Sequence, residues 1–249
     1  DVCSSDLVAR AAPDGYTALV TTSAFAVNVT LYANPGYEER EFIPLINAAT
    51  QPNLIFVNAG FPAKTLAELI TIVKNGKLAF ASPGLGTTPH LTGENLFRSI
   101  ARADITPIHF AGAAPAATAM LSGEPPIGSL APTAALPHVK AGKLRALGVA
   151  GATRLRALPD VPTFTEAGIP GMQDYTWTGV FLPAGTPAAI VQRHNEAINR
   201  ILQMPDIRDR LDVQALEVVG GTSAQFTDYV RAEIAKWGKV VREANVKAE

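Results

Sequence analysis

Between Ala81 and Leu91 the sequence reads ASPGLGTTPHL, which holds two glycines, three hydroxyl-bearing residues, two prolines and a histidine. Residues of these types can hold an anion without a formal positive charge. Glycine lets backbone N–H groups come close to a ligand, and hydroxyls donate. A helix starting at the end of the stretch adds unpaired N–H groups and the positive end of its dipole. Thr88 reads as the N-cap of such a helix and Pro89 as its first residue. An ordinary turn from strand to helix has the same composition, so the stretch supports both readings.

Enzyme motifs fit it less well. A P-loop needs lysine directly after its second glycine, and here Thr87 follows Gly86. The dinucleotide fingerprint lacks its third glycine, with Pro89 in that place, and ASPGLG is not the G-x-S-x-G elbow of hydrolases. The alternative reading is therefore a doubly wound α/β enzyme that holds a phosphorylated cofactor on residues 82–90. His90 and Glu94 are four apart on one helix face, but no H-E-x-x-H is present, and His109, His138 and His194 are scattered along the sequence. A lone histidine just inside a helix reads as a capping or packing residue. No nucleophile with a paired base is visible, so no catalytic residue, metal or cofactor is expected.

Two further stretches have the same character. In HFAGAAPAATAMLSG (109–123) a strand runs into Gly112, Ala113 and Ala114, and Pro115 opens a short helix that ends near Gly123. After YTALVTT the chain continues as SAFAVN (23–28), again small and hydroxyl-bearing. Three strand ends with small residues and no charged side chain point to binding rather than catalysis.

These loops are carried by a regular alternation. Residues 16–22, 53–58, 77–82, 105–110 and 144–150 read as strands by length and apolar content. In TLAELITIVKNGK, Leu66, Leu69, Ile70 and Val73 share a helix face, Thr65 with Glu68 makes a capping box, and Gly76 stands at the C-terminal end. Phe226, Tyr229, Val230, Ile234, Trp237, Val240 and Val241 form a longer stripe, interrupted by Glu233 and capped by Thr222 with Gln225. Such a stripe reads as core. Alternating strands and helices imply a mainly parallel sheet covered on both sides, with ligands at the carboxyl ends of its strands. The Pro-rich segments 123–137 and 158–171 read as irregular surface connections.

Composition removes several functions. With 21 basic and 22 acidic residues and no cluster of Lys or Arg, the 249-residue chain has no electrostatic footprint for nucleic acid or an anionic membrane. Hydrophobic residues make up 47%, enough for a sizeable core, yet no apolar run approaches the roughly 18 residues that span a bilayer. The single Cys3 excludes an internal disulfide. The opening DVCSSDL shows neither periodicity nor a signal-peptide pattern. It is expected to be a scar on a fragment, with homology starting near Leu7 or Val8.

In order, APDGYTALVTT, LYANPGY, QPNLIFVNAGFPAKTLAELI, GKLAFASPGLGTTPHLTGENLF, LPHVKAGKLRALGV, RLRALPDVPTFTEAGIPG, WTGVFLPAGTP and AEIAKWGKVVREA resemble signatures of the Bug, or TctC-like, substrate-binding proteins. These proteins serve tripartite tricarboxylate transporters, and the resemblance runs from about Val8 to the C-terminus. It implies an α/β chain with the type II periplasmic binding-protein fold, two lobes each with a central mixed β-sheet flanked by helices. Residues 8–60 and 179–249 would form one lobe and 61–178 the other. It further implies a periplasmic monomer, not an enzyme, that closes about a hinge on a small carboxylate. The ligand class is a di- or tricarboxylate, an acidic amino acid or an aromatic acid, passed on to the membrane subunits of the transporter or presented to a sensor kinase.

By the same resemblance the ligand carboxylate is held by backbone amides, hydroxyls and waters. The implied site residues are Thr22, Ser23, Ala24 and Ala26 in one lobe. Ser82, Gly86, Thr87 and His90, with Gly112, Ala113 and Ala114, come from the other, and Trp177 would wall the ligand. The chain departs from the family in three places. A strand, a Pro/Gly-rich loop and a helix that open the family are absent upstream of APDGY, so an N-terminal unit is expected to be missing. Phe110-Ala111-Gly112 stands where the family has Tyr-Lys-Gly, and EPPIGSLAPT lacks the Gln-Val-Asp and Phe-Asp that follow. Without that acidic partner, a carboxylate without an amine is expected.

Overall fold

The structure is a computed structural model in which residues 2–248 are described; Asp1 and the side chains of residues 2–4, Cys3 among them, lie outside the description. In chain order the elements are α1 (Val2–Ala9), β1 (Leu19–Thr22), α2 (Ala24–Leu31), β2 (Phe42–Pro52), β3 (Leu54–Asn58) and α3 (Leu66–Asn75). There follow β4 (Leu78–Ser82), α4 (Thr88–Glu94), β5 (Ile105–His109), α5 (Ala113–Leu121), β6 (Ile127–Leu130), α6 (Pro132–Lys140) and β7 (Leu144–Val149). The chain ends with β8 (Tyr175–Pro183), α7 (Ala188–Leu202), α8 (Pro205–Val213), β9 (Glu217–Gly220) and α9 (Ser223–Glu243). A π-helical turn, Asn95–Ile100, continues α4. Among the described residues no helix is long and apolar enough to cross a membrane.

The chain divides into two compact units. One comprises the chain up to Thr50, Trp177–Val241 and the residues from Lys247; the other comprises Gln51–Thr176 and Arg242–Val246. The boundaries expected from the sequence were 60/61 and 178/179. Strand β3, which lies between Thr50 and residue 60, pairs with β6 and β7 and so belongs to the second unit's sheet.

In the first unit the strand order is β1-β8-β2-β9. β1 runs antiparallel to β8, with Thr22 opposite Thr178, and β2 antiparallel to β9. The core gathers Phe25, Tyr37, Phe42, Trp177, Phe181 and Phe226, with Phe25 stacked on Phe181 at 4.5 Å and on Tyr37 at 4.9 Å. Burial pushes the Tyr37 phenol up, and its O–H donates to the Phe25 carbonyl at 3.0 Å. On α9 the expected stripe is core-facing, and the cap is reciprocal. Gln225 N donates to Thr222 Oγ1 at 3.2 Å, and Thr222 N donates to Gln225 Oε1 at 2.9 Å. Glu233 is explained by its partners: Oε2 accepts from the Trp237 indole at 2.8 Å and the Trp177 indole at 3.1 Å. The aperiodic opening segment forms most of α1. Its order comes from burial of Ser5 and Val8 and from an Asp6–Arg10 pair one helical turn apart, not from an apolar stripe, so nothing in its periodicity announced a helix.

The second unit's sheet has the order β5-β4-β6-β3-β7. β4 is parallel to β5 and β6, while β3 is antiparallel to β6 and β7. The expectation of a mainly parallel sheet therefore holds for β4, β5, β6 and β7, fails for β3, and fails in the first unit, where β1 with β8 and β2 with β9 are antiparallel. The returns through α4, α5 and α6 restore strand direction, whereas the one through α3 does not, so β3 runs against the rest. Leu54, Ile55, Phe56 and Val57 are all fully buried, which is why that run carries no polar alternation. Leu66, Leu69 and Val73 of α3 join Ile55, Val57, Phe80, Phe97, Leu147 and Phe164 in one core. The Thr65 hydroxyl caps Glu68 N at 3.2 Å, but the Glu68 carboxylate reaches Lys64 N at 2.7 Å, one residue beyond a standard capping box.

Candidate functional site

In the second unit β4 ends at Ser82 and β5 at His109, and the parallel register sets these two residues side by side. Each strand runs straight into a loop and a helix. The loops are tied together by Phe110 N donating to Ser82 O and Gly112 N to Pro83 O, both at 3.0 Å. Three glycines hold conformations with positive φ here: Gly84 at 147°, Gly86 at 73° and Gly112 at 114°. No Asp, Glu, Lys or Arg occurs in residues 82–90 or 109–115.

The cap of α4 falls one residue earlier than the sequence suggests. Thr87, not Thr88, is the N-cap: its Oγ1 donates to Gly84 O at 2.8 Å and accepts from His90 N at 3.4 Å. Thr88 occupies the first helical position and Pro89 the second. Thr88 Oγ1 lies 2.9 Å from Thr176 Oγ1, which donates to Asn53 Oδ1 at 2.8 Å; Asn53 Nδ2 donates in turn to Thr92 Oγ1 at 2.9 Å. Ser129 Oγ adds a bond of 2.6 Å to Pro89 O. Every residue of α4 is buried, so this network fixes the helix and the loop in front of it.

Most donors expected for a ligand are thus engaged internally. Ser82 is fully buried, and its Oγ accepts from Gly84 N at 3.2 Å and lies 2.9 Å from His109 Nδ1. Gly86 N donates to His90 Nδ1 at 3.4 Å, and Thr87 N to Gly84 O at 3.3 Å. The amides of Leu85 and Ala111 have no acceptor of their own among the described residues, and those of Ala113 and Ala114 open α5 without an intrahelical acceptor. Helix α5 begins at Ala113, two residues before the expected Pro115, because Gly112 is its N-cap.

Beside these amides lies a cluster that sequence spacing did not join. The His90 and His109 rings meet edge to face at 4.6 Å. His90 is buried, with Nε2 3.7 Å from Glu94 Oε1, and Glu94 pairs with Arg98 at 3.2 Å. His109 is exposed along one edge. Desolvation of the covered edge holds its pKa below the ordinary histidine value, repulsion from His90 adds to that, and Glu94 opposes it. The signal for His109 was available: it ends a strand parallel to the one that ends at Ser82. No group of three potential ligands fit for a metal ion occurs among the described residues. Ser82 and His109 resemble a nucleophile with its base, but Ser82 is shielded and its oxygen is already bonded.

In the first unit Thr22 is exposed at the end of β1, and the Ser23 amide, one residue before α2, donates to Trp177 O at 3.0 Å. Ala24 and Phe25 open the helix. Ala26 is fully buried and its amide donates to Ser23 O at 3.1 Å, so its place is in the core. Trp177, expected as a wall for the ligand, is corrected by the structure. It is 0% exposed, packs on Phe226 at 5.5 Å, and gives its N–H to Glu233.

Residues 1–246 match the family model described as the tripartite tricarboxylate transporter family receptor, TctC. The chain belongs to that family. The match reaches residue 1, so homology does not begin at Leu7 or Val8 as expected. The protein BugT of Bordetella pertussis is 32% identical over 99% of this chain and 77% of its own. Among solved structures, R. palustris Rpa4515 with adipate superposes with a TM-score of 0.91 at 31% identity, covering 99% of this chain and 83% of that one. MatC from Rhodopseudomonas palustris with bound malate gives 0.86 at 32%, covering 96% and 84%. The fold is that of the periplasmic binding proteins, α/β with a sheet in each unit. Family and neighbours are receptors for solutes rather than enzymes, which overturns the alternative of a cofactor-binding enzyme at residues 82–90.

Proposed function

We propose that this chain is a periplasmic receptor that binds a small dicarboxylate and delivers it to the membrane subunits of a tripartite tricarboxylate transporter. The observation that carries the reading is the pair of adjacent strand ends in the second unit. Two glycine-bearing loops meet there without a single charged residue, and the amides of Ala113 and Ala114, with those of Leu85 and Ala111, remain available to an anion. A carboxylate accepts several such N–H groups at once, each worth about 1.5–3 kcal/mol when the acceptor is ionised. A few together support micromolar affinity after ordering costs. Adipate and malate, bound by the two related proteins, supply the ligand class. No acidic side chain stands in either loop to pair with an amine, which favours a dicarboxylate over an acidic amino acid. Ser82, Gly86, Thr87 and His90 shape this site from behind, and Gly112 sets the angle at which α5 presents its amides. Thr22, Ser23 and Ala24 are the corresponding strand end of the first unit.

The test is a thermal-shift and calorimetric screen against mono-, di- and tricarboxylates, aromatic acids and nucleotides. A ligand at about a hundred times its dissociation constant stabilises the protein by about 2.7 kcal/mol. The expected result is a rise in melting temperature with dicarboxylates and none with nucleotides. A rise with nucleotides alone would overturn the reading.

A further inference from the structure

We propose that His109 is a proton-dependent anchor of this site, a ring that becomes the site's only surface cation when a carboxylate binds. This rests on the carboxylate reading above and adds to it a residue and a pH dependence. Within residues 82–90 and 109–115 only His90 and His109 can carry positive charge. His90 is 1% exposed and its Nδ1 is occupied by Gly86 N. His109 is exposed, sits three residues before Gly112 on the strand leading into α5, and its Nε2 has no partner among the described residues.

The covered edge of the ring is built for both protonation states. When His109 is neutral, the Ser82 hydroxyl donates its proton to Nδ1 across 2.9 Å, which leaves the ring hydrogen on Nε2. When the ring is charged, Nδ1–H donates to Ser82 Oγ instead, and the serine hydrogen turns to Gly84 O at 3.3 Å. That carbonyl belongs to the loop in front of α4, and Gly84 N remains bonded to Ser82 Oγ in either state. One proton can therefore be taken up without leaving a buried donor unpaired.

The groups facing the ring set the direction. From β4 there is Ser82 alone. From α4 there are His90, which disfavours the charge, and Glu94, which favours it but is already paired with Arg98 in the π-helical turn. Helix α5 offers no acidic or basic residue. In the unliganded protein His109 is thus held neutral near physiological pH. An anion beside Nε2 reverses the balance, so binding draws in a proton and affinity rises as pH falls.

The experiment measures the dissociation constants of adipate and malate from about pH 8 to about pH 5.5 for the native chain, His109→Gln and His109→Asn. Ligand titration affects all three proteins equally, so the ratio of variant to native constant isolates His109. We expect a ratio of about 1–3 at the alkaline end, rising to about tenfold at the acidic end, the limit for one proton being tenfold per pH unit. Calorimetry in two buffers of different ionisation enthalpy is expected to show proton uptake on binding by the native chain and none by either variant. A ratio that stays flat with pH, while all three proteins bind, overturns the anchor and leaves the carboxylate reading standing. If neither acid binds the native chain at any pH, both fall together.

Discussion

Replacing Thr87 with valine separates two roles that the sequence could not. If the hydroxyl faces the ligand, its loss weakens binding and leaves the fold alone. The structure assigns it to the fold: Oγ1 donates to Gly84 O at 2.8 Å and caps His90 N at 3.4 Å. Loss of a cap costs about 1 kcal/mol on average. The contact to Gly84 adds about 0.5–1.5 kcal/mol, at the lower end because that carbonyl also accepts from Thr87 N and from Ser82 Oγ, each at 3.3 Å. The sum is about 2 kcal/mol, which for a chain of this size lowers the melting temperature by about 4–8 °C. Thr87→Ser keeps the hydroxyl and should melt within about 2 °C of the native chain. Differential scanning fluorimetry of the unliganded proteins decides the matter, with calorimetric titration of adipate alongside. Carboxylate affinity is expected to fall in Thr87→Val, because the loop loosens, and to persist in Thr87→Ser. A native melting temperature in Thr87→Val would refute the capping role.

Three other outcomes follow from the same geometry. Gly112→Ala is expected to destabilise the second unit by about 1–3 kcal/mol, from backbone strain alone, since φ is 114° and the nearest atom to the new methyl is Pro115 Cδ at 4.0 Å; a native melting curve would show that the loop relaxes. Glu233→Gln retains an oxygen for both indoles and should cost about 1–2 kcal/mol, whereas Glu233→Leu strands two buried N–H groups and should cost about 2–6 kcal/mol; equal losses in thermal melts would contradict the bridging role. For His109 the sign follows from its lowered pKa: the unfolded chain binds the proton more readily, so the contribution to stability is complete above about pH 6.5 and declines as pH falls toward the folded value. The unliganded native chain should therefore lose more melting temperature on acidification than His109→Gln, and identical pH profiles would contradict the assignment.

Strands announced themselves where a short apolar run is bounded by turn residues, as in β1, β3, β4, β5 and β7. Four strands gave no such signal. β2 carries Pro44, Asn47, Thr50 and Gln51 within eleven residues, and it is a strand because β8 and β9 pair with it from either side. β6 and β8 contain Gly128 and Gly179, residues that read as breaks in a strand. A Cβ at Gly128 would overlap Met120, and one at Gly179 would overlap Phe226. The glycines that weaken the local pattern are those the packing requires. Pairing partners far along the chain also decided the direction of β3 and the buried role of Trp177, which looks from its position like a surface aromatic between two lobes.

The loops of the site were legible because glycine, proline and hydroxyl residues mark strand-to-helix turns, but the atoms available to a ligand were not. Ser82, Thr87 and Thr88 drew attention as donors, and each hydroxyl is spent on holding the loop or its helix. What is left without an acceptor of its own among the described residues is the amides of Leu85, Ala111, Ala113 and Ala114, whose side chains carry no chemistry and so leave no trace in a sequence. His109 stands apart from the other histidines along the sequence, yet adjacent parallel strands with the same strand–loop–helix pattern bring their last residues together. Ser82 closes one strand and His109 the next. A charge-poor anion site of the kind proposed for this chain is therefore sought by comparing the ends of equivalent strands, since its hydroxyls organise the loop and the exposed histidine enters from the end of the neighbouring strand.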